Sequence, residues 1–267
     1  MPFVDIHGSS FYYEESGKGE QVIFCAHAFL FNSTMYDNLI KLLGTDYRFI
    51  AYDHHFHGRT ISHSTKTNFE TWVEEIALLV KTLAPGKSVT FIGSSLGGIV
   101  GVALAVKFPD LVSRLILLGT PLKNETFIES IPIRLFKFFL PIIGFKPFIK
   151  GLTLQYFGKS FRNDPINEAE ISYWMRTAME NSTRDIPLMI SAMLKRNDYS
   201  KGIDKIGQVC IIYGDEDSAV SRDRIKSLSA QINRNVLHVL EGVGHLPAIE
   251  QPHLVAPLIQ SFLKASN

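Results

Sequence analysis

The five residues Gly93-Ser94-Ser95-Leu96-Gly97 determine the fold prediction. They follow an apolar run, Val89 to Ile92, and precede a helical pattern from Leu96 to Phe108. A sharp turn between strand and helix strains its central residue, and side chains two positions to either side of it would collide. Glycine at both positions removes the collision. The stretch therefore predicts a turn that projects the Ser95 hydroxyl above a sheet; the alternative is a Gly/Ser-rich turn that merely connects strand to helix.

Other apolar runs on both sides of this turn are rich in β-branched and aromatic residues and predict further buried strands. The predicted strands are Val22 to Ala26, Arg48 to Tyr52, Val89 to Gly93, Leu115 to Leu118, Val209 to Tyr213 and Val236 to Leu240. Helical patterns lie between several of them, most clearly from Phe69 to Leu83. Because strands that are apolar on both faces alternate with helices, we expect an α/β fold with a mostly parallel β-sheet flanked by helices.

The alternation stops after Leu118 and resumes near Gly207. No strand pattern occurs from about residue 121 to residue 199. We therefore expect a helical cap at 121–199, inserted into a core domain made of residues 1–120 and 200–267.

The composition of this expected cap is unusual. Residues 130–163 contain six basic residues and no acidic one, and eight of the 19 phenylalanines lie between positions 127 and 161. A cap of this kind would line a pocket with apolar surface and favour an anionic substrate or transient contact with a lipid surface. The alternative is a helical bundle whose Lys and Arg stems cover buried phenylalanines. Prolines and basic residues inside the apolar stretch argue against stable membrane insertion.

Overall composition excludes several classes of protein. Lys and Arg number 27 and Asp and Glu 26, a net charge of +1 that offers no attraction to nucleic acid. The two cysteines, Cys25 and Cys210, lie in separate apolar runs and predict buried thiols rather than a disulfide. The N-terminus lacks the pattern of a signal peptide, so we expect a cytoplasmic protein; the mature form of a secreted protein would show the same pattern.

Two later motifs could activate Ser95. A serine hydroxyl is a poor nucleophile unless a base takes its proton, and that base is itself oriented by a carboxylate. Three acidic residues follow one predicted strand, in the stretch Tyr213-Gly214-Asp215-Glu216-Asp217. A histidine follows the next predicted strand, in the stretch Gly242-Val243-Gly244-His245. Taken alone, these motifs are an ordinary acidic turn and a loop histidine. Their order after Ser95, acid and then histidine, favours a catalytic interpretation.

The sequence resembles the α/β-hydrolase fold superfamily in these motifs and in their order. The resemblance covers nearly the whole chain. The resemblance is to small capped hydrolases, which include esterases, lactonases and carbon–carbon bond hydrolases. It implies Ser95 as nucleophile, His245 as base and Asp217, three residues after the strand-ending glycine, as the acid. Asp215 is a possible substitute for Asp217.

An oxyanion hole needs two backbone N–H donors. One is expected from Leu96, directly after Ser95 at a helix N-terminus. The resemblance implies the other from Phe29, in a loop that reads His27-Ala28-Phe29 where the family usually carries His-Gly. Alanine at position 28 departs from the family, because glycine there lets the backbone turn freely.

A further family motif, usually Asp-x-Arg-Gly-x-Gly-x-Ser, corresponds to Asp53 through Thr60. Asp53 and Gly58 match it, whereas His55 and Phe56 replace the expected Arg and Gly. The cluster His54, His55 and His57 raises a metal-site hypothesis, with His27 and His63 as loose candidates. No nearby cysteine or spaced ligand pair completes such a site. We therefore expect a hydrogen-bonded loop, with no metal and no organic cofactor.

Together these features predict a serine-dependent hydrolase that cleaves carboxylic esters of small or medium apolar molecules through an acyl-enzyme. Alternatives on the same fold are a lactonase, a carbon–carbon bond hydrolase and a cofactor-free haloperoxidase. Relatives that attack halides or epoxides carry an aspartate at the turn, so Ser95 argues against those activities. An alternative of another class is a ligand-binding, receptor-like protein with little turnover, suggested by the departures at Ala28, His55 and Phe56.

Overall fold

A computed structural model describes residues 2–62, 68–121, 124, 126–220, 225, 230 and 235–265. Within these residues the strands form one eight-stranded sheet in the order β1-β2-β4-β3-β5-β6-β7-β8. The strands are β1 (Phe3–Ile6), β2 (Ser9–Ser16), β3 (Val22–Ala26), β4 (Arg48–Tyr52), β5 (Val89–Ser94), β6 (Val112–Leu118), β7 (Gln208–Gly214) and β8 (Asn235–Leu240). Strand β2 is antiparallel to both neighbours, and every other pair is parallel. The predicted mostly parallel sheet is confirmed.

Helices flank this sheet and fill the segment between β6 and β7. They are α1 (Asp37–Leu43), α2 (Phe69–Leu83), α3 (Leu96–Lys107), α4 (Ile131–Ile143), α5 (Ile149–Tyr156), α6 (Lys159–Asn163), α7 (Glu168–Met179), α8 (Ile186–Leu194), α9 (Pro247–Glu250) and α10 (Pro252–Lys264). Among the described residues, no helix is long and apolar enough to cross a membrane.

The central strands are buried on both faces, as their apolar sequences predict. Every residue of β3 and of β5 is buried, and α3 packs across both strands. Cys25 and Cys210 are buried free thiols within the sheet. Strands β1 and β2 were not predicted from the sequence, because they are partly exposed and mix polar with apolar residues. A partly exposed antiparallel strand lacks the continuous apolar run that marks a central parallel strand.

The segment between β6 and β7 contains helices and, among its described residues, no strand. We call residues 121–199 the helical insertion. It contacts the loops at the carboxyl ends of the strands: the Tyr156 hydroxyl donates to the Phe29 carbonyl at 2.9 Å, and Asn181 Nδ2 donates to the Leu30 carbonyl at 2.8 Å. The division into a core and a cap domain with these boundaries stays a prediction.

Candidate active site

Ser95 occupies the turn between β5 and α3 with φ 50° and ψ −110°. This left-handed backbone is strained for a residue with a Cβ atom and costs about 1–3 kcal/mol. A Cβ on Gly93 would overlap the backbone of Gly97, and a Cβ on Gly97 would overlap the Ala26 carbonyl at the end of β3. The crowding inferred from the sequence is therefore present, and it involves a neighbouring strand as well as the turn itself.

The structure brings Ser95, His245 and Asp217 together. His245 Nε2 lies 2.8 Å from Ser95 Oγ, and His245 Nδ1 lies 2.9 Å from Asp217 Oδ2. Because a carboxylate only accepts hydrogen bonds, Nδ1 carries the imidazole proton and Nε2 accepts from the Ser95 hydroxyl. We call these three side chains the serine–histidine–aspartate chain.

Asp217, rather than Asp215, contacts the histidine. The other Asp217 oxygen accepts the N–H groups of Ala219 and Val220 at 2.8 and 2.9 Å, which fixes the carboxylate in place. Asp215 is exposed and turns away, accepting the N–H of Gly242 at 2.7 Å. The position of the Asp217 carboxylate is thus set by its own turn.

His245 is buried, and burial alone would lower its pKa. The charge of Asp217 and its hydrogen bond, with a further contribution from the charge of Glu250, outweigh burial and hold the pKa of His245 above its ordinary value. A higher pKa makes the imidazole a stronger base toward the Ser95 hydroxyl.

The two expected oxyanion donors lie in different elements. Leu96 is the first residue of α3, and Phe29 lies in the loop after β3, which we call the oxyanion loop (residues 27–31). Neither N–H donates a hydrogen bond to any residue in the described ranges. Ala28 lies outside the left-handed region, so its backbone needs no glycine; the left-handed residue of this loop is Leu30, with φ 70°.

The histidines form a hydrogen-bonded brace under the oxyanion loop. His27 Nε2 accepts the N–H of His54 at 2.9 Å, and His57 Nε2 accepts the N–H of Leu30 at 3.0 Å. The second nitrogen of each ring bonds a backbone carbonyl, that of Ala28 for His27 and that of His55 for His57, both at 2.8 Å. Burial lowers the pKa of His27 and of His57 to about 3, so both rings are neutral near pH 7.

The loop that supplies three of these histidines, residues 53–62, is called the histidine loop. Asp53 accepts the N–H groups of Ser33 and Arg59 at 2.7 Å, and a Cβ on Gly58 would overlap the Asp53 carboxylate. These contacts account for the two positions that match the family motif.

The two positions that depart from the motif are also accommodated. His55 Nε2 lies 2.6 Å from the buried carboxylate of Glu75 in α2. Phe56 has φ 62°, a left-handed backbone where the family carries glycine. In the described part of the chain, no group of three or more His, Cys, Asp or Glu side chains could hold a metal ion. His63 lies outside the described residues.

Tyr156, at the end of α5, was not identified from the sequence. Its hydroxyl donates to the Phe29 carbonyl, its own carbonyl accepts the N–H of His245 at 3.1 Å, and its ring stacks on the imidazole with centroids 6.1 Å apart. A tyrosine at the end of a helical pattern carries no signal of such contacts. The residue therefore joins the oxyanion loop to the histidine.

Glu250, at the end of α9, was also missed. This buried carboxylate accepts the N–H groups of Gly158 and Gly244, both at 2.9 Å, and that of Leu246 at 3.2 Å. Burial raises the pKa of Glu250 above its ordinary value, although these hydrogen bonds act in the opposite direction. An acidic residue within an apolar helical pattern is the signal that could have marked it. Glu250 ties the helical insertion to the loop that carries His245.

A cavity of about 500 Å³ lies between the histidine loop and the helical insertion. Phe31 and Arg59 line it on the side of the sheet, and Thr177 and Asn181 on the side of the insertion. No member of the serine–histidine–aspartate chain lines it. This space therefore borders the oxyanion loop rather than Ser95 itself.

Comparisons with known proteins agree with this architecture. Residues 21–140 match the family model of the alpha/beta hydrolase fold. The uncharacterized hydrolase YugF of Bacillus subtilis is 26% identical over 97% of this chain and 96% of its own length. An esterase from Thermogutta terrifontis superimposes with a TM-score of 0.89 at 21% identity, covering 98% of this chain and 96% of that one. An enol-lactonase from Burkholderia xenovorans superimposes with a TM-score of 0.88 at 18% identity, covering 99% of this chain and 100% of that one. The sheet order and these matches show that the chain adopts the α/β-hydrolase fold.

Proposed function

We propose that this protein is a hydrolase and that it cleaves carboxylic esters through an acyl-enzyme formed on Ser95. The observation that carries the proposal is the 2.8 Å contact between His245 Nε2 and Ser95 Oγ, with Asp217 on the opposite ring nitrogen. The three groups stand in the relation that nucleophile, base and orienting acid require. The raised pKa of His245 supports the same assignment.

The proposed reaction has two stages. Ser95 Oγ attacks the ester carbonyl carbon while His245 takes the hydroxyl proton, and Asp217 stabilises the resulting imidazolium. The tetrahedral oxyanion accepts the N–H groups of Phe29 and Leu96. The bond to the alcohol oxygen then breaks, and His245 returns the proton to the leaving alcohol. In the second stage water attacks the acyl-enzyme with His245 again as base, which releases the acid and restores Ser95.

An apolar acyl group is the proposed substrate moiety, with the helical insertion acting as its cap. The ring of Phe31, next to the oxyanion loop donors, lies 5.0 Å from that of Tyr156 and 5.3 Å from that of Trp174, measured between centroids. These side chains are almost fully buried, so they give the wall behind the oxyanion loop an apolar character, which favours apolar over charged acyl groups. A lactone would react by the same steps, with its leaving oxygen remaining attached to the acyl group.

Substitution of the nucleophile tests the proposal. We expect Ser95→Ala to lower kcat for p-nitrophenyl butyrate on the order of 10⁴-fold or more, because the remaining groups supply only binding and oxyanion stabilisation. Ser94→Ala is the matched control and should leave kcat nearly unchanged, since the adjacent Ser94 hydroxyl is buried and has no hydrogen-bond partner among the described residues. Circular dichroism establishes that both variants are folded. Hydrolysis by Ser95→Ala at the parent rate would refute the assignment.

The alternative of a ligand-binding protein rests on Ala28, His55 and Phe56. The ordinary φ of Ala28 and the contact of His55 with Glu75 support a working site at these departures. Rapid multiple turnover of p-nitrophenyl esters would exclude the binding-protein alternative. One slow turnover that leaves a persistent adduct on Ser95, detected by mass spectrometry, would favour it.

A further inference from the structure

Helix α4 exposes a continuous row of large apolar side chains. Ile131, Leu135, Phe138 and Ile142 are 41%, 52%, 65% and 67% exposed. Their spacing of four, three and four residues places them on one face of the helix. We call these four side chains the apolar row. Scattered surface residues of this type are common, but a contiguous exposed row marks an interaction surface.

The row is separate from the face that α4 packs inward. Phe136 is 6% exposed and Leu140 is fully buried, and the Phe136 ring makes an edge contact with that of Phe148 at 4.8 Å. The helix therefore already contributes one apolar face to the protein interior. The exposed row is additional surface, which remains in contact with water unless something else covers it.

Most charged side chains in the sequence around the row are basic, although Glu129 directly precedes the stretch of residues 130–163. Residues 130–163 carry six basic side chains and no acidic one, and residues 186–197, which include the packed helix α8, also lack acidic residues. Lys137, Lys146 and Lys150 form no ion pair with a described residue. The Arg134 guanidinium lies over the exposed Phe127 ring, 5.0 Å from its centroid. A surface that covers the row must therefore present apolar groups to the row itself and anionic groups to the basic side chains around it.

We propose that α4 docks this protein on the surface of an anionic lipid bilayer. The apolar row enters the boundary between headgroups and acyl chains, and the surrounding Lys and Arg side chains bind lipid phosphates. A 13-residue helix is only about 20 Å long, so it lies in the plane of the surface and does not span it. A second copy of the chain is disfavoured as the occupant, because pairing two such faces would bring like charges together.

Vesicle flotation tests this surface directly. We expect the full chain to bind vesicles of equal parts phosphatidylglycerol and phosphatidylcholine at least about tenfold more tightly than phosphatidylcholine alone, with binding weakened by salt. The double variant Phe138→Ser/Ile142→Ser should bind the anionic vesicles at least about tenfold more weakly, because two inserted side chains are lost. Ile166→Ser is the matched control, since Ile166 is 81% exposed and lies outside the row.

Three outcomes would overturn the proposal: equal binding by the double variant and the parent, equal binding to both kinds of vesicle, or a dimer in sedimentation equilibrium that the double variant dissociates while vesicles go unbound. The double variant should hydrolyse a water-soluble ester at the parent rate, because neither side chain contacts the serine–histidine–aspartate chain. The proposal of lipid docking and the proposal of ester hydrolysis can therefore be refuted or supported independently of each other.

Discussion

The Ser95 turn and the histidine loop both lie at the carboxyl edge of the sheet, but different forces hold them in shape. Backbone crowding fixes the Ser95 turn, where Gly93 and Gly97 leave no space for a Cβ. Buried imidazoles fix the histidine loop, where the His57 ring accepts the Leu30 N–H and the His54 N–H donates to the His27 ring. The first region is therefore vulnerable to an added methyl group, and the second to an added proton.

The largest expected effect comes from a methyl group in the Ser95 turn. Gly97→Ala should lower the free energy of unfolding by about 3 kcal/mol or more, because the new Cβ would overlap the Ala26 carbonyl and neither backbone can move away cheaply. Urea denaturation measures the change.

Gly151→Ala is the matched control for this substitution. Gly151 also lies in a helix, and a Cβ there meets nothing within 4 Å, so alanine should stabilise the protein by up to about 1 kcal/mol. A Gly97→Ala variant as stable as the parent would mean that the turn is not held by crowding.

The two regions also differ in how far the sequence predicted them. The Ser95 turn was predictable because its steric requirement acts within five residues and is met by glycine at two of them, Gly93 and Gly97. The histidine loop was expected to be hydrogen-bonded, but its partners were not predictable: His54 and His57 each bond a residue 27 positions away. No local sequence pattern predicts a contact between residues that far apart in the chain.

The contacts of the helical insertion were less predictable still. Tyr156 bonds Phe29 across 127 positions, and Glu250 bonds Gly158 across 92. Each contact depends on the register in which the insertion packs on the sheet, which composition and periodicity do not specify. The sequence therefore predicted the fold and proposed the nucleophile, base and acid, but not the side chains that hold them in position.

A proton in the histidine loop should have the next largest effect. The pKa of His57 is about 3 when folded, below its ordinary value of 6.5, so the unfolded chain binds the proton first as pH falls. His57 makes its full contribution to the free energy of unfolding above pH 6.5. That contribution is lost as pH falls toward 3, at up to about 1.4 kcal/mol per pH unit. His27 adds a similar loss.

His57→Gln isolates this contribution, because glutamine keeps an acceptor for the Leu30 N–H and a donor for the His55 carbonyl. Between pH 6.5 and 5 the parent should lose about 1.6 kcal/mol more stability than the variant in urea denaturation. Parallel curves for parent and variant would contradict a buried neutral His57. The exposed His253 offers a His→Gln control for loss of a surface imidazole.

The smallest expected effect concerns the oxyanion loop, which the histidines brace on one side and Tyr156 on the other. Tyr156→Phe removes only the hydroxyl that bonds the Phe29 carbonyl and keeps the ring that stacks on His245. One such bond contributes about 1 kcal/mol, so we expect kcat for an ester to fall about fivefold. If the hydrogen bond from Tyr156 positions the Phe29 N–H for the transition state, KM should stay nearly constant, because the Phe29 N–H then stabilises the transition state and not the bound substrate.

Tyr173→Phe, at an exposed position of the same insertion, is the control. A rise in KM with unchanged kcat would instead make Tyr156 part of the substrate pocket, and the histidine brace alone would then position the oxyanion loop.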